Sequence, residues 1–180
     1  MTKMLSSPSS LDKEHEEIME LLRNYAKLKD KTGEAIRGLE EALVPHFKKE
    51  TKIVTPVLGL LPSLVKRETP KNLREIAESQ EGILLEYENM FREHAEIQKL
   101  VSEGKLFSLH EEHNEVADLM DGLAHHMKVE EEVFYPAALI AGTVAKCLMS
   151  SSAPKAIGST LLKMRRHLNQ REQIGQVRKK

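Results

Sequence analysis

Two short stretches of this sequence carry histidine and glutamate at a spacing that suits metal ligation. In "LVPHFKKE" and "LAHHMKVE" a histidine precedes a glutamate by four residues, as His46 precedes Glu50 and His126 precedes Glu130. On a helix, residues four apart lie on one face, one turn apart. An imidazole nitrogen and a carboxylate oxygen can then reach the same ion, or the carboxylate can bridge two ions, so the spacing in each stretch is suitable for a metal site.

The two stretches belong to an internal repeat. "KEHEEIMEL" at 13–21 matches "REHAEIQKL" at 92–100, and "LVPHFKKETKIVTP" at 43–56 matches "LAHHMKVEEEVFYP" at 123–136. The repeat adds His15 and His94, which lie 31 and 32 residues before the next repeated histidine. A repeat that reported packing alone would repeat leucine and valine. This repeat contains groups that are costly to bury without a partner.

The predicted metal-binding set therefore has six members. They are His15, His46, Glu50, His94, His126 and Glu130. Two metal ions could each take two imidazole nitrogens and one oxygen from each glutamate, with an open position left for a small molecule. Mixed imidazole and carboxylate ligation suits iron, manganese or zinc, and spacing does not choose among them. A polar core without metal is the alternative interpretation.

The elements that must position these residues are predicted to be helices. Apolar residues recur every three or four positions with Glu and Lys between them. We expect an all-α fold, an up-down-up-down four-helix bundle of two repeated helical hairpins with additional C-terminal helices. The predicted helices are about 9–31, 34–51, 70–103, 108–132, 136–149 and 155–170. The predicted domains are a flexible N-terminus (1–9), the bundle (10–140), and a C-terminal helical extension with a polar tail (141–180).

Caps and helix breakers set these boundaries. "KTG" is expected to end the first helix and Gly104 the third, and Ser108 is expected to cap the fourth. Thr69 followed by Pro70 predicts the start of the third helix. Pro45 lies inside the second helix, where it should bend the helix or remove a hydrogen bond.

Composition limits the function classes. The chain has 180 residues and a net charge of −1, with no basic stripe beyond "KMRRH" and "VRKK", so nucleic acid is not an expected partner. The single Cys147 permits no disulfide within the chain, which fits a reducing compartment. No signal peptide and no apolar run of membrane-spanning length is recognised. We expect a cytoplasmic protein without a membrane partner.

The order His, His-x-x-x-Glu, His, His-x-x-x-Glu resembles the hemerythrin-like domain, also called the HHE cation-binding domain, over about 10–140. The resemblance implies two non-haem iron ions, oxo- or hydroxo-bridged, that are held by the six residues above. It also implies a small diatomic ligand, O2 or NO. Oxygen-carrying members have a fifth histidine where this chain has Gln98, which is interpreted as a weak ligand, a hydrogen-bond donor or a spectator. The four-His, two-Glu set is more similar to the repair-of-iron-centres proteins.

Three functions remain open at this point. The chain binds O2 or NO for storage, sensing or detoxification; it is a di-iron enzyme or iron donor in peroxide or nitric oxide stress and iron–sulfur centre repair; or it is an interaction module with a structural metal. Whether it is an enzyme stays undecided.

Other polar and aromatic residues near the motifs are assigned to the surface or the core. We expect three of them in solvent, namely His110, His113 and Glu132. His125 is expected at the surface or behind a metal ligand, and Glu131 at the surface or as an alternative carboxylate ligand. The core is expected to contain Tyr87, Met19 and Met90, and no role is assigned to Tyr135.

Overall fold

The computed structural model describes residues 9–66 and 73–149, and this part of the chain is helical without a strand. Its elements are α1 (Ser9–Tyr25), α2 (Lys31–Ile53), α3 (Thr55–Leu58), α4 (Leu61–Val65), α5 (Leu73–His110), α6 (Asn114–Val129), a π-helical turn (Glu130–Phe134) and α7 (Tyr135–Met149). The prediction of an all-α protein is confirmed for these residues. The start expected at Thr69 and Pro70 and the helix expected at 155–170 lie outside them.

The long helices enclose two apolar clusters. α2 packs against α1 and α5, and α5 also packs against α6 and α7. One cluster, with Leu39 and Leu123, lies among α1, α2, α5 and α6; the other, with Val57 and Leu139, lies among α3, α5 and α7. On α1, α2, α5 and the run from α6 to α7, buried polar residues separate members of the first cluster from members of the second.

The first helix ends earlier than the sequence indicates. α1 stops at Tyr25, not near Lys31, because Arg37 of α2 donates hydrogen bonds to the carbonyls of Ala26 and Leu28. Asp30 then takes the N-cap position of α2 in extended backbone, and its side chain accepts from the Gly33 N–H. Side-chain caps satisfy both helix ends, so the chain leaves the helical conformation before the "KTG" signal.

The boundary between the third and fourth long helices also differs from the prediction. α5 continues through Gly104 to His110, and α6 begins only at Asn114. Gly104 is a packing residue, because a Cβ there would lie 3.3 Å from Met120 Sδ. Ser108 is not an N-cap: it is buried inside α5 and its hydroxyl donates to the carbonyl of Lys105. Local signals of a helix end were overridden by tertiary packing.

The run from Asn114 to Met149 is continuous helix. It contains an 18-residue window with a mean hydropathy of 1.3, so by length and composition it is able to cross a membrane, which differs from the expectation that the chain has no apolar run of this length. Core helices of soluble proteins have the same composition, and 39% of this window is buried inside the protein. α2 is also uninterrupted and passes through Pro45 to Ile53.

Candidate metal centre

Four helical segments supply one buried cluster of histidine and glutamate. α1 supplies His15, α2 supplies His46 and Glu50, α5 supplies His94, and the junction of α6 with the π turn supplies His126 and Glu130. In both repeats the His-x-x-x-Glu spacing puts the two side chains one turn apart on the inward face of a helix. The structure thus brings together all six residues that the repeat singled out.

The four imidazoles form two pairs, and each pair joins the two repeats. His15 Nε2 lies 3.0 Å from His126 Nε2, and His94 Nε2 lies 2.8 Å from His46 Nε2. The first histidine of each repeat therefore meets the second histidine of the other repeat. Neither hairpin could assemble such a pair alone.

Glu130 reaches both pairs of histidines. Its Oε1 lies 2.9 Å from His126 Nε2 and 3.2 Å from His15 Nε2, and its Oε2 lies 3.4 Å from His94 Nε2. A carboxylate with one oxygen toward each pair has the arrangement that a ligand between two ions requires.

Glu50 faces the same two pairs at slightly longer distances. Its Oε2 lies 3.6 Å from His15 Nε2 and its Oε1 lies 3.7 Å from His46 Nε2. The cluster contains two groups of potential ligands, and within each group the ligand atoms all lie within 4.8 Å of one another. The groups are His46, Glu50, His94 and Glu130, and His15, His126 and Glu130.

Carboxylates on the outside of the cluster orient three of the four imidazoles. Glu93 Oε2 lies 2.9 Å from His46 Nδ1, and Glu131 Oε1 lies 3.1 Å from His94 Nδ1. Because an ionised carboxylate only accepts hydrogen bonds, Nδ1 carries the proton and Nε2 of a neutral imidazole presents a lone pair to the cluster. This is the tautomer that a metal ligand needs.

His126 has the equivalent partner in Glu14, whose Oε1 lies 3.1 Å from His126 Nδ1. Glu14 and Glu93 each directly precede a cluster histidine, His15 and His94, and occupy matching positions of the repeat. In both repeats, one Glu-His dipeptide therefore supplies one histidine of a pair and the carboxylate that orients the other histidine of the same pair. Their recurrence in the repeat was the signal that would have found these two glutamates.

The environment of His15 breaks this symmetry. Its Nδ1 is buried without a hydrogen-bond partner among the described residues. Phe47 stacks on its ring instead, with centroids 4.0 Å apart and an interplanar angle of 7°. Packing against the Phe47 ring therefore orients this imidazole, and no carboxylate binds its Nδ1 among the described residues.

Burial and neighbouring charges shift the pKa values of the two inner glutamates apart. Burial and the charge of Glu130 raise the pKa of Glu50 well above its usual value. Burial acts in the same direction on Glu130, but hydrogen bonds from His126 and His15 lower its pKa to about 2. Burial and the neighbouring His94 lower the pKa of His46, which favours its neutral form. Two carboxylates facing each other in a water-poor core cost free energy unless a cation offsets their charge.

The chemistry of the donor set fits a cation. Glu50 Oε2 and Glu130 Oε2 are buried, and neither has a hydrogen-bond partner in the described part of the chain. Buried acceptors without a donor are rare in proteins, because each costs the free energy of its lost hydration. A cation among the Nε2 and carboxylate lone pairs would satisfy these atoms together.

Tyr135 belongs to this cluster, although the sequence analysis gave it no role. Its hydroxyl donates a hydrogen bond to Glu50 Oε1 and lies 3.1 Å from His94 Nε2. Burial and the charge of Glu50 raise the pKa of Tyr135 well above its usual value. The tyrosine was missed because five residues of α-helix would turn it about 140° away from Glu130. The π turn removes that offset.

The remaining residues are placed as follows. Gln98 is exposed, which favours the spectator interpretation, and His125 and His110 are also exposed. His113 is half-buried and its Nε2 lies 2.8 Å from Asp30 Oδ2, away from the cluster. Tyr87, Met19 and Met90 are core residues as predicted. Glu131 is the exception, because it orients His94 and does not simply face solvent.

A helical protein with a buried cluster of paired imidazoles and carboxylates belongs to the class of metal-binding helical proteins. The hemerythrin HHE cation binding domain matches residues 8–138, and the chain belongs to this family. Comparisons with curated proteins and with solved structures found no match. The family and the buried cluster together indicate a protein that binds metal cations.

Proposed function

We propose that this chain is a cytoplasmic non-haem di-iron protein of hemerythrin-like type. In this proposal α1, α2, α5 and α6 form the up-down-up-down bundle, and an open iron position takes a small ligand such as O2 or NO for storage, sensing or detoxification. The observation that carries the proposal is the meeting of two histidine pairs with two glutamates that each face both pairs. Iron bound there would supply the open position and the redox chemistry that such ligands need.

The residues around the cluster support this function in three ways. The outer carboxylates hold Nε2 of His46, His94 and His126 toward the centre, so the ligand geometry is set before metal arrives. Glu50 and Glu130 neutralise charge between the two positions. The apolar clusters above and below the polar layer exclude water, which protects a reactive bound ligand from side reactions.

Carboxylates outnumber cations in and around the cluster. The carboxylates are Glu14, Glu50, Glu93, Glu130 and Glu131, and Lys49, which pairs with Glu93, also pairs with Glu86. Bound metal cations would offset the excess of negative charge. The two histidine pairs, with both inner glutamates facing each of them, support two metal positions over one.

The test is the iron content of the purified chain with its absorption spectrum before and after anaerobic reduction. We expect about two irons per chain and visible bands that bleach on reduction and return in air. His126→Ala should remove the bands and most of the iron. His125→Ala is the matched control, because the neighbouring histidine is exposed and should change neither. Iron-free wild-type protein, or equal iron in both variants, would contradict the proposal.

Ligand binding and turnover separate the carrier or sensor function from the enzyme. A carrier or sensor takes up one equivalent of O2 or NO per centre and releases it unchanged. Catalytic consumption of peroxide or nitric oxide well above one equivalent, or loss of iron to an acceptor protein, would indicate the enzyme or the iron donor. Unfolding on metal removal without any ligand binding would indicate a structural metal.

A further inference from the structure

The π turn after Glu130 presents Tyr135 to the cluster. The backbone N–H of Tyr135 donates to the carbonyl of Glu130, five residues earlier, so the tyrosine lies one wide turn above the glutamate. Glu130 and Tyr135 are both almost fully buried, and both side chains reach the same group of ligand atoms. π turns interrupt α-helices at a cost and are frequent at functional sites. Here the result is an added oxygen atom inside the cluster.

This oxygen atom lies at only one of the two histidine pairs. Tyr135 Oη contacts Glu50 Oε1 and lies 3.1 Å from His94 Nε2, on the side of the His46–His94 pair. At the matching position of the first repeat stands Thr55, whose hydroxyl donates to the backbone carbonyl of Thr51 in the preceding helix. The His15–His126 pair has the ring of Phe47 beside it instead. The two metal positions are therefore chemically different.

The two metal positions differ in the number of potential oxygen and nitrogen ligand atoms around them. The His46–His94 side has two Nε2 atoms, an oxygen of each glutamate and Tyr135 Oη, whereas the other side has two Nε2 atoms and an oxygen of each glutamate. Gln98, at the place of the fifth histidine of oxygen carriers, is exposed and adds nothing. Tyr135 is the one described side chain beyond the six that puts an oxygen between His94 and Glu50.

We propose that Tyr135 is a seventh protein ligand, which coordinates the metal held by His46 and His94 through its phenol oxygen. This inference rests on the proposed function. On coordination, the O–H bond of the phenol is replaced by an oxygen–metal bond and one proton is released to solvent, without a change in oxidation state. The His15–His126 side then has fewer protein ligands and keeps the open position.

Iron(III) with a phenolate ligand gives the decisive signature, a charge-transfer band in the visible region. The chain is loaded anaerobically with iron(II), oxidised in air, and studied by absorption and by resonance Raman spectroscopy excited within that band. We expect tyrosine ring modes in the wild-type spectrum. Tyr135→Phe should lose the band and the ring modes and retain iron. Tyr87→Phe, a buried tyrosine whose ring lies 6.5 Å from that of Tyr135, should keep both.

A second variant covers the case in which Tyr135→Phe fails to fold or to bind iron. The chain has three tyrosines, so the double change Tyr25→Phe with Tyr87→Phe leaves Tyr135 as the only phenol. Phenolate modes in this variant support the inference. Iron-loaded wild-type protein without phenolate modes, or Tyr135→Phe protein that keeps them, overturns this inference alone. A wild-type chain that takes up no iron overturns the proposed function as well.

Discussion

Replacing Glu93 by glutamine should weaken metal binding more than the same replacement of Glu14. Both carboxylates accept a hydrogen bond from Nδ1 of a cluster histidine, and glutamine keeps the size and the accepting oxygen but removes the charge. The two glutamates differ in how firmly they are held and in how exposed they are to water. Glu93 is also bound by Lys49 and Asn89, at 2.5 and 3.1 Å.

The structure sets the expected size of each effect. Glu93 Oε2 lies 2.9 Å from His46 Nδ1 with its side chain 31% exposed, whereas Glu14 Oε1 lies 3.1 Å from His126 Nδ1 with its side chain 52% exposed. Removing the carboxylate behind a metal-ligating histidine weakens metal binding roughly 10–100-fold, and we expect a loss in this range, about 1.4–2.7 kcal/mol, for Glu93. For Glu14 we expect less than about 1 kcal/mol.

The assay is an anaerobic iron(II) titration against a competing chelator, with circular dichroism to verify folding. Glu86→Gln is the matched control, because Glu86 contacts Lys49 and Asn89 from the same helix but is not a partner of His46 in the described structure. It should bind within about twofold of the wild type. Unchanged affinity in Glu93→Gln, or a loss at Glu86 as large as at Glu93, would refute the orienting role; equal losses at Glu14 and Glu93 would refute the expected effect of exposure.

Four further changes test the fold and the limits of the site. Gly142→Ala should lower the free energy of unfolding by about 1–3 kcal/mol, because the added Cβ would overlap an α5 side chain. Gly122→Ala should raise the free energy of unfolding by about 0.5–1 kcal/mol, because a Cβ at position 122 would lie in open space and alanine favours the helix. Urea titrations measure both changes. Gln98→His should alter neither iron content nor spectrum, and a new band would show that position 98 reaches the centre. A hydrogen bond from the Gly33 backbone lowers the pKa of Asp30, so its charge stabilises the fold above its unfolded pKa of about 3.9. Wild-type protein should therefore exceed Asp30→Asn in thermal stability at pH 7, with the gap closing as pH falls below about 4 and through the folded pKa; a gap that widens in acid would contradict this.

The six cluster residues could be identified from the sequence because it contains two regularities, helical periodicity and an internal repeat. Helical periodicity puts residues four apart on one face, and the repeat marked which histidines and glutamates share a level. Sequence reasoning stopped short of Glu14 and Glu93, although both recur in the repeat. A residue next to a ligand points about 100° away on its own helix, so its contact with a histidine of another helix is not visible locally.

Only the tertiary structure determined which side chains of the cluster contact one another and how far the two histidine pairs differ. Pairing of His15 with His126 depends on which helices become neighbours, and the extension of α5 through Gly104 depends on Met120 packing against it. The role of Tyr135 depends on one π turn, which shifts every following side chain to a new face. The sequence thus determined which groups are available for metal, since that follows from spacing along single helices. The angular offset between helices and within the π turn determined which groups meet, because contacts between distant residues depend on packing and not on local periodicity.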